Sequence, residues 1–409
     1  MQKKASCWLF LTLVLMVAST PLFESLSTTP TAYSDFKVGL LSNIAIGKAR
    51  SVMVMENDSQ VSAFVSDFSI TNSLGLVALN LTNPYEPNIT SNFYDGGGAH
   101  EMFLDKEGSL LYLADHRGGV EIFNITNPSR PVWSGVYKDS GAYTSVVVKD
   151  GIAYAADMFY GLKVINVSDP TNPTLLRSYT EFGPKTNVFL RDDILFVSDA
   201  MAMISTKSFG VLKINTPTNI TEVANYPFGR VRRIDFIDNY GFMAIADQGT
   251  KIMDFSDLGD IKEIFTTKEA VEPYDLQIVD NNKLFVADYQ GGLTIFSIDD
   301  QMHPKSLTKI VSTGSGNKTS LDVLDGYAFV TDINLGLQLF RFCYDCTFSS
   351  IIESGTSTFD TTTKTTFQTS KQASSAVPES ISKELNGFSA FILIGVLFFV
   401  LERRSRKVG

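Results

Sequence analysis

The chain repeats one short plan seven times along its middle. Each time, an apolar stretch ends in a small residue followed by Asp, and a turn, a glycine and another apolar stretch follow. The aspartates are Asp67, Asp115, Asp157, Asp199, Asp247, Asp288 and Asp332, and the glycines are Gly75, Gly119, Gly161, Gly210, Gly249, Gly292 and Gly336. Successive glycines lie 39 to 49 residues apart. Self-similarity at such a period marks a repeat architecture.

One repeat contains four short strands. In residues 145–179, "SVVVKDGIAYAAD" is two apolar strands around Asp150-Gly151, a signal for a type I′ hairpin. "GLKVINVSDP" is a third strand, and "PTLLRSY", after Pro173, is a fourth. Four short antiparallel strands in each unit, with little helical periodicity, predict an all-β fold made of propeller blades.

The two ends of the repeat region predict how the ring closes. The seventh unit, "SLDVLDGYAFVTDINLGLQLFRF", has only three strands, whereas a spare strand at 35–46 precedes the first unit. An open sheet edge invites aggregation, so a ring needs both edges covered. The sequence therefore predicts a seven-bladed β-propeller of four-stranded antiparallel blades over residues 36–342, closed by the N-terminal strand.

The repeats resemble the LVIVD repeat of bacterial and archaeal surface proteins. The resemblance rests on "GGVEIFNITNPSRP" and "GLKVINVSDPTNP", and it covers about residues 36–342. Units four and five depart from the pattern through the insertion "AMAMISTKSF" and a turn shortened to Gln248. The resemblance implies a propeller at the cell surface and no particular ligand or reaction.

Both ends of the chain carry targeting features. Residues 1–27 combine Lys3 and Lys4 with an apolar run and small residues, which predicts a secretory signal peptide. An uncharged run of 17 residues from Leu385 predicts a transmembrane helix at 385–402, and the basic tail at 403–409 is expected in the cytoplasm. The alternative for that run is a buried core helix. With its Gly387-Phe388 pair, apolar residues and basic end, the run also resembles archaeal C-terminal sorting tails.

The segment between propeller and membrane, residues 343–384, is rich in Ser and Thr. Such a composition cannot bury enough apolar surface to offset the entropy of ordering. It predicts an extended stalk or a flexible linker. Together these features predict a single-pass protein of the cell membrane, with the propeller outside the cell.

Charge and motifs exclude several functions. The net charge of −10 and a pI near 4.9 argue against a nucleic-acid partner, which requires a basic surface. No nucleophile elbow, zinc-protease motif or phosphate-binding loop occurs, so no cofactor and no metal are predicted.

Two groups of residues have mainly structural interpretations. The seven aspartates are expected to accept backbone N–H groups of the turns that follow them, and calcium binding at some of these turns is the alternative. Cys343 and Cys346, spaced C-x-x-C, predict a local disulfide rather than a redox motif or a zinc site.

Seven N-x-[ST] sequons occur in the chain. Asn80, Asn124 and Asn166 share one position of the repeat, which indicates turn geometry as their main role. The sequons that break the repeat, Asn57, Asn88 and Asn317, are predicted to be glycosylated.

The variable positions of the repeat lie on one side of the ring. The loops leading into each first strand and the turns after each second strand emerge there, around the channel, and we call this side the loop face. Aromatic and Arg side chains, which are enriched at binding hot spots, occur among its residues. The candidates are His100, Glu101, His116, Arg117, Tyr143, Tyr160, Lys185, Arg230, Arg232, Tyr274 and Tyr289.

Three functional hypotheses follow. The first is a binding module that recognises an extracellular protein or glycan through the loop face. The second is a cell-surface lyase or hydrolase working in the channel with His100, Glu101, His116, Arg117 and Tyr143. The third is an envelope protein that associates with itself.

Overall fold

The computed structural model describes residues 36–344 except 58–59, 70–73, 95–97, 200–207, 268, 302 and 312–316. These residues lie in one compact unit, Met1–Gly355, and a second unit, Thr356–Gly409, lies outside the described residues. The described residues form seven antiparallel sheets of four strands each. The helical element among them is a single 3₁₀ turn at Thr180–Phe182. The predicted seven-bladed propeller of four-stranded blades is confirmed.

The strands follow the repeat, with β1 (Phe36–Ile44) ahead of the first blade. Blades 1 and 2 contain β2 (Ala49–Asn57), β3 (Gln60–Asp67), β4 (Leu76–Asn80), β5 (Asn88–Phe93), β6 (Met102–Asp105), β7 (Leu110–Asp115), β8 (Gly119–Asn124) and β9 (Val132–Tyr137). Blades 3 and 4 contain β10 (Tyr143–Lys149), β11 (Ile152–Asp157), β12 (Gly161–Asn166), β13 (Thr174–Tyr179), β14 (Lys185–Arg191), β15 (Ile194–Asp199), β16 (Phe209–Thr216) and β17 (Asn219–Tyr226). Blades 5 and 6 contain β18 (Val231–Ile237), β19 (Tyr240–Ile245), β20 (Gly249–Asp254), β21 (Lys262–Thr267), β22 (Pro273–Val279), β23 (Lys283–Asp288), β24 (Gly292–Ser297) and β25 (Lys305–Ile310). Blade 7 contains β26 (Lys318–Leu324), β27 (Tyr327–Asp332) and β28 (Gly336–Tyr344), together with β1.

Local turn chemistry sets the hairpins. Asp150 and Gly151, between β10 and β11, have φ of 51° and 72°, as a type I′ turn requires.

The inner strands of the blades are apolar on both faces because each blade is packed between two neighbours. One buried cluster, for example, joins Val52 and Val65 of blade 1 to Phe329 and Leu339 of blade 7.

The N-terminal strand closes the ring. β1 pairs antiparallel with β28, from Phe36 opposite Tyr344 to Ile44 opposite Leu337, and is the outer strand of blade 7. β2 contacts β26 on one side and β6 on the other, so that blades 7, 1 and 2 are consecutive. This arrangement covers the outer edge of the sheet, which β28 would otherwise expose.

Strand direction defines two faces. In every blade the first strand starts, and the second ends, on the loop face. The first hairpin and the end of the third strand lie on the opposite side, which we call the hairpin face. Because β28 is a third strand and β1 runs against it, Phe36 and Tyr344 both lie on the hairpin face.

Several predictions concern segments beyond these strands. The signal peptide, the transmembrane helix and the basic tail lie outside the described residues, as does the stalk except for its first two positions. β28 continues through those positions to Tyr344. Among the residues that the structure describes, no helix has the length and apolarity needed to cross a membrane.

Candidate functional site

A β-bulge in the first strand of the blades decides which side chains line the channel. In blade 1, Ala49 lies opposite Asp67 but Ser51 lies opposite Ser66, so Arg50 has no partner on the second strand. In blades 3 to 7 the pairing of the first two strands shifts by one residue at the same position. In blade 2 the equivalent of Ser51 is Glu101, whose carbonyl oxygen accepts the N–H of Ala114. The residues just past the bulge form a ring with one polar member from each blade. We call it the channel ring: Ser51, Glu101, Ser145, Asn187, Arg233, Asp275 and Ser320.

The channel contains a cavity of about 200 Å³. Five members of the channel ring line its middle, namely Ser51, Glu101, Arg233, Asp275 and Ser320, while Arg50, Arg232 and Tyr274 lie one position closer to the loop face. Asp235 and Asp322 lie two positions closer to the hairpin face. The cavity is therefore cationic and aromatic at its mouth and acidic at depth.

The channel acids Asp235, Asp275 and Asp322 each accept a hydrogen bond from a backbone N–H group of the neighbouring blade. Asp275 Oδ2 accepts the N–H of Leu321 (3.0 Å), and Asp322 Oδ2 accepts that of Val54 (2.7 Å). Asp235 Oδ2 likewise accepts the N–H of Ile278 (2.9 Å). The first strand of a blade is a sheet edge whose N–H groups face the channel, and these carboxylates satisfy them.

Arg233 is the cation of the channel ring. Its Nε lies 3.5 Å from Asp275 Oδ1, and 43% of its side-chain surface faces the open space of the channel. Burial works to lower the pKa of the guanidinium, but the charges of Asp275, Asp235, Glu101 and Asp322 outweigh burial and raise it. Arg233 thus offsets part of the negative charge of the acids around it.

Glu101 is the acid of the channel ring that titrates near neutrality. Asn187 Nδ2 donates a hydrogen bond to its Oε1 (2.8 Å). Burial raises the pKa of the carboxyl to about 7, although a hydrogen bond from Ser145 and the charges of Arg233 and Arg50 oppose this. A carboxyl with such a pKa can donate or accept a proton at neutral pH.

The mouth of the channel is built from arginine and aromatic side chains. The guanidinium carbons of Arg50 and Arg232 lie 5.3 Å and 3.7 Å from the centre of the Tyr274 ring. Arg50 also lies 5.7 Å from the centre of the Phe68 ring, and Tyr289 stacks on Tyr274 at 5.6 Å. We call Arg50, Phe68, Arg232, Tyr274 and Tyr289 the mouth cluster.

The predicted histidine pair forms beside this cluster. The His100 ring stacks on His116 (5.7 Å between centres) and meets the edge of Phe68 at 4.7 Å. His100 is only 6% exposed, and neither ring nitrogen has a hydrogen-bond partner among the described residues. Burial, with the charges of Arg50 and His116, holds the pKa of His100 well below 6.5. Arg117 and Tyr160 are exposed on the loop face, and Arg230 is half-buried.

Besides His100, two further residues that the sequence predicted on the loop face, Tyr143 and Lys185, are buried instead. Tyr143 has no exposed surface, and its hydroxyl donates to Asp139 Oδ1 (2.7 Å). Lys185 is 3% exposed, and burial lowers its pKa against the opposing charge of Asp199. Both precede the bulge, so their side chains point into the blade, as that of Lys318 does toward Asp332 (2.7 Å). Neither is available to a ligand on the loop face.

Sequence reasoning missed most of the channel ring. Asn187, Arg233 and Asp275, and the deeper Asp235 and Asp322, were not among the candidates. A signal was present, because the third residue of the first strand is polar in six of the seven blades, and in blade 2 the polar Glu101 directly precedes β6. Reading it required knowledge of the bulge.

The aspartates that end the second strands bond to backbone donors. Asp67 Oδ1 accepts the N–H groups of Ser69 (3.0 Å) and Lys48 (2.8 Å), and its Oδ2 accepts that of Leu74. Asp157, Asp288 and Asp332 also accept backbone N–H groups. Asp67 therefore joins the turn to the loop that leads into the same blade. In the part of the chain that the structure describes, no three His, Cys, Asp or Glu side chains are grouped to hold a metal ion.

Cys343 is disulfide-bonded, and Cys346, its predicted partner, lies outside the described residues. The sequons divide between the two faces. Asn57 and Asn88 lie on the hairpin face, where β2 ends and β5 begins, whereas Asn317 precedes β26 on the loop face.

Comparisons with known proteins agree with this architecture. The LVIVD repeat family matches residues 107–139 and 140–181, in blades 2 and 3. The chain carries LVIVD repeats. No curated protein matches the chain.

Solved structures share the fold at low identity. A streptogramin B lyase aligns with a TM-score of 0.57 and 11% identity, over 76% of this chain and 99% of that chain. A catalytically inactive virginiamycin B lyase from Staphylococcus aureus, with quinupristin, aligns at 0.55 and 12%, over 75% and 99%. The WD40 β-propeller domain of Doa1 aligns at 0.54 and 13%, over 75% and 97%. At such identities the likeness shows the propeller fold alone.

Proposed function

We propose that this protein is a recognition module, held at the cell surface by its C-terminal segment, that binds an extracellular glycan or protein through the loop face. The observation that carries the proposal is the mouth cluster, where Arg50, Arg232 and Tyr274 converge over an open polar cavity. Phe159 and Tyr160, in the turn after β11, add aromatic surface on the same face, with 48% and 44% of their surface exposed. Arg and aromatic side chains around a concave site are typical of binding surfaces.

The placement of the chain ends supports this assignment. Tyr344, from which the chain continues toward the predicted stalk, lies on the hairpin face, as do Asn57 and Asn88. An attachment and sugars on that side would leave the loop face open to a ligand.

The test uses the purified full chain on an array of neutral and acidic glycans and on cell-surface proteins. Tyr160→Ala should weaken binding at least about tenfold, as expected of a hot-spot residue. Trp133→Ala is the matched control, because this aromatic residue is 45% exposed but lies on the outer strand β9. Equal weakening by both variants, or none by Tyr160→Ala at unchanged thermal stability, would count against the loop face.

A second candidate, a lyase or hydrolase, is favoured by one observation. Glu101 faces the channel with a pKa of about 7, the range expected of a general acid or base. Turnover of a polysaccharide or ester that is lost in Glu101→Gln, while binding is retained, would support an enzyme. Turnover unaffected by this substitution would remove Glu101 from that role.

A further inference from the structure

We infer that the mouth cluster is an oxyanion site that takes the carboxylate or sulfate group of an acidic glycan. This inference deepens the proposed function and rests on it. Three observations carry it: a surplus of guanidinium groups, a shortage of counter-charge near them, and a buried acceptor below them without a partner.

The guanidinium groups come from two blades and share one aromatic ring. Arg50 belongs to blade 1 and Arg232 to blade 5, and both lie over Tyr274 of blade 6. Burial lowers the pKa of Arg232, and the charges of Arg230 and Arg50 lower it further, although Tyr274 and Glu272 oppose them. The positive charges of Arg50 and Arg230 therefore act on that of Arg232.

The counter-charge at the mouth is incomplete. Glu272 Oε1 lies 3.5 Å from an Arg232 terminal nitrogen, but among the described residues Arg50 forms no ion pair. The Nε of Arg232 is buried and has no hydrogen-bond partner in that part of the chain. Among the channel acids, Asp275 and Asp322 accept backbone N–H groups and act on Arg233, whereas Glu101, with a pKa of about 7, offsets the charge of Arg50 only once it is deprotonated. A planar oxyanion is the group that matches such guanidinium donors.

The polar residues that line the cavity below the mouth cluster favour a sugar as the molecule that bears the carboxylate or sulfate group. Gln277 Oε1 lines the cavity, is buried, and has no hydrogen-bond partner among the described residues, so it can accept a hydroxyl. Ser51, Ser320 and Thr319 line the same cavity. Its volume of about 200 Å³ is below the range of about 300–1,000 Å³ of pockets for drug-sized ligands. It therefore suits a terminal sugar acid rather than a bulky side-chain cluster of a protein.

The experiment measures calorimetric binding of three oligosaccharides to the purified full chain. They share one neutral backbone and end in glucose, glucuronate or a sulfated glucose. We expect the acidic forms to bind at least about tenfold more tightly than the neutral form, because a hydrogen-bonded charge pair contributes that much. Arg50→Gln should remove this preference, and Arg232→Gln provides a second variant should the first fail to fold. The stronger of the two acidic ligands identifies the anion.

Arg177→Gln is the control for the loss of an arginine. Like Arg232, Arg177 lies over a tyrosine ring (4.3 Å from the centre of Tyr179) and near a glutamate (3.6 Å from Glu181), but it is on the outer strand β13 and 47% of its side chain is exposed. It should leave the preference unchanged.

The outcomes separate the two proposals. Equal binding of neutral and acidic oligosaccharides at the loop face would overturn the oxyanion site and leave recognition of glycans intact. If an acidic peptide bound at this face and no oligosaccharide did, the inference that the ligand is a glycan would be wrong. Failure of every ligand class at the loop face would overturn the proposed function as well.

Discussion

Replacing Glu101 by Gln removes a carboxyl whose pKa rises from 4.5 to about 7 in the folded protein. Between these values the folded protein binds more protons than the unfolded chain, so the free energy of unfolding falls as pH rises. The loss is absent below pH 4.5 and complete above about pH 7. At about 1.4 kcal/mol for each pKa unit, the difference corresponds to about 3 kcal/mol. Glutamine can keep the hydrogen bond from Asn187 and carries no charge.

The assay is urea unfolding followed by circular dichroism at pH 4.5, 6 and 8. Glu101→Gln should equal the wild type at the lowest pH and exceed its free energy of unfolding by about 2–3 kcal/mol at the highest. Glu107→Gln, in the exposed turn between β6 and β7, is the surface control. A stability difference between Glu101→Gln and wild type that stays constant across this range would refute the account of the channel.

Three further substitutions or deletions test the fold and the loop face. Asp67→Ala should lower the free energy of unfolding by more than about 2 kcal/mol in urea unfolding, because three buried or partly buried backbone donors lose their acceptor. Unchanged stability would contradict this role of Asp67. Deleting β1 (36–44) should shift the protein toward aggregates in size-exclusion chromatography, because β28 becomes an open edge. An elution profile unchanged from that of the intact chain would argue against the closure. His100→Phe should lose less stability in acid than the wild type does. Because the folded-state pKa of His100 is lowered, the free energy of unfolding of the wild type decreases as pH falls through 6.5 toward that pKa. Parallel stability profiles of the two proteins from pH 7.5 to 5.5 would be the contrary result.

The ring could be predicted from sequence because its determinants are local. Hairpin turns such as Asp150-Gly151, short apolar strands and the glycine period each lie within one unit, and the spare strand at 36–44 completed the count. Counting strands at both ends was sufficient to predict seven closed blades.

The site was harder to predict because a single extra residue reverses side-chain direction. The bulge places Arg50 and Arg232 at the mouth and turns Tyr143 and Lys185 into the blade. A shift of one residue moves a side chain to the other face of a strand, and sequence alone does not reveal where the shift occurs. Contacts between distant blades, such as Asn187 with Glu101, depend on the completed ring.

The pairing of Phe36 with Tyr344 has a mechanical consequence. If Phe36 and Tyr344 were pulled apart, the hydrogen bonds between β1 and β28 would break one after another, starting at that end of the ladder. A pull on Tyr344 alone would instead load β28, which is bonded on both sides by β1 and β27. In a propeller tethered only through its C-terminal end, a pulling force would therefore be shared between the β1–β28 and β27–β28 ladders and would not open the closing pair by itself.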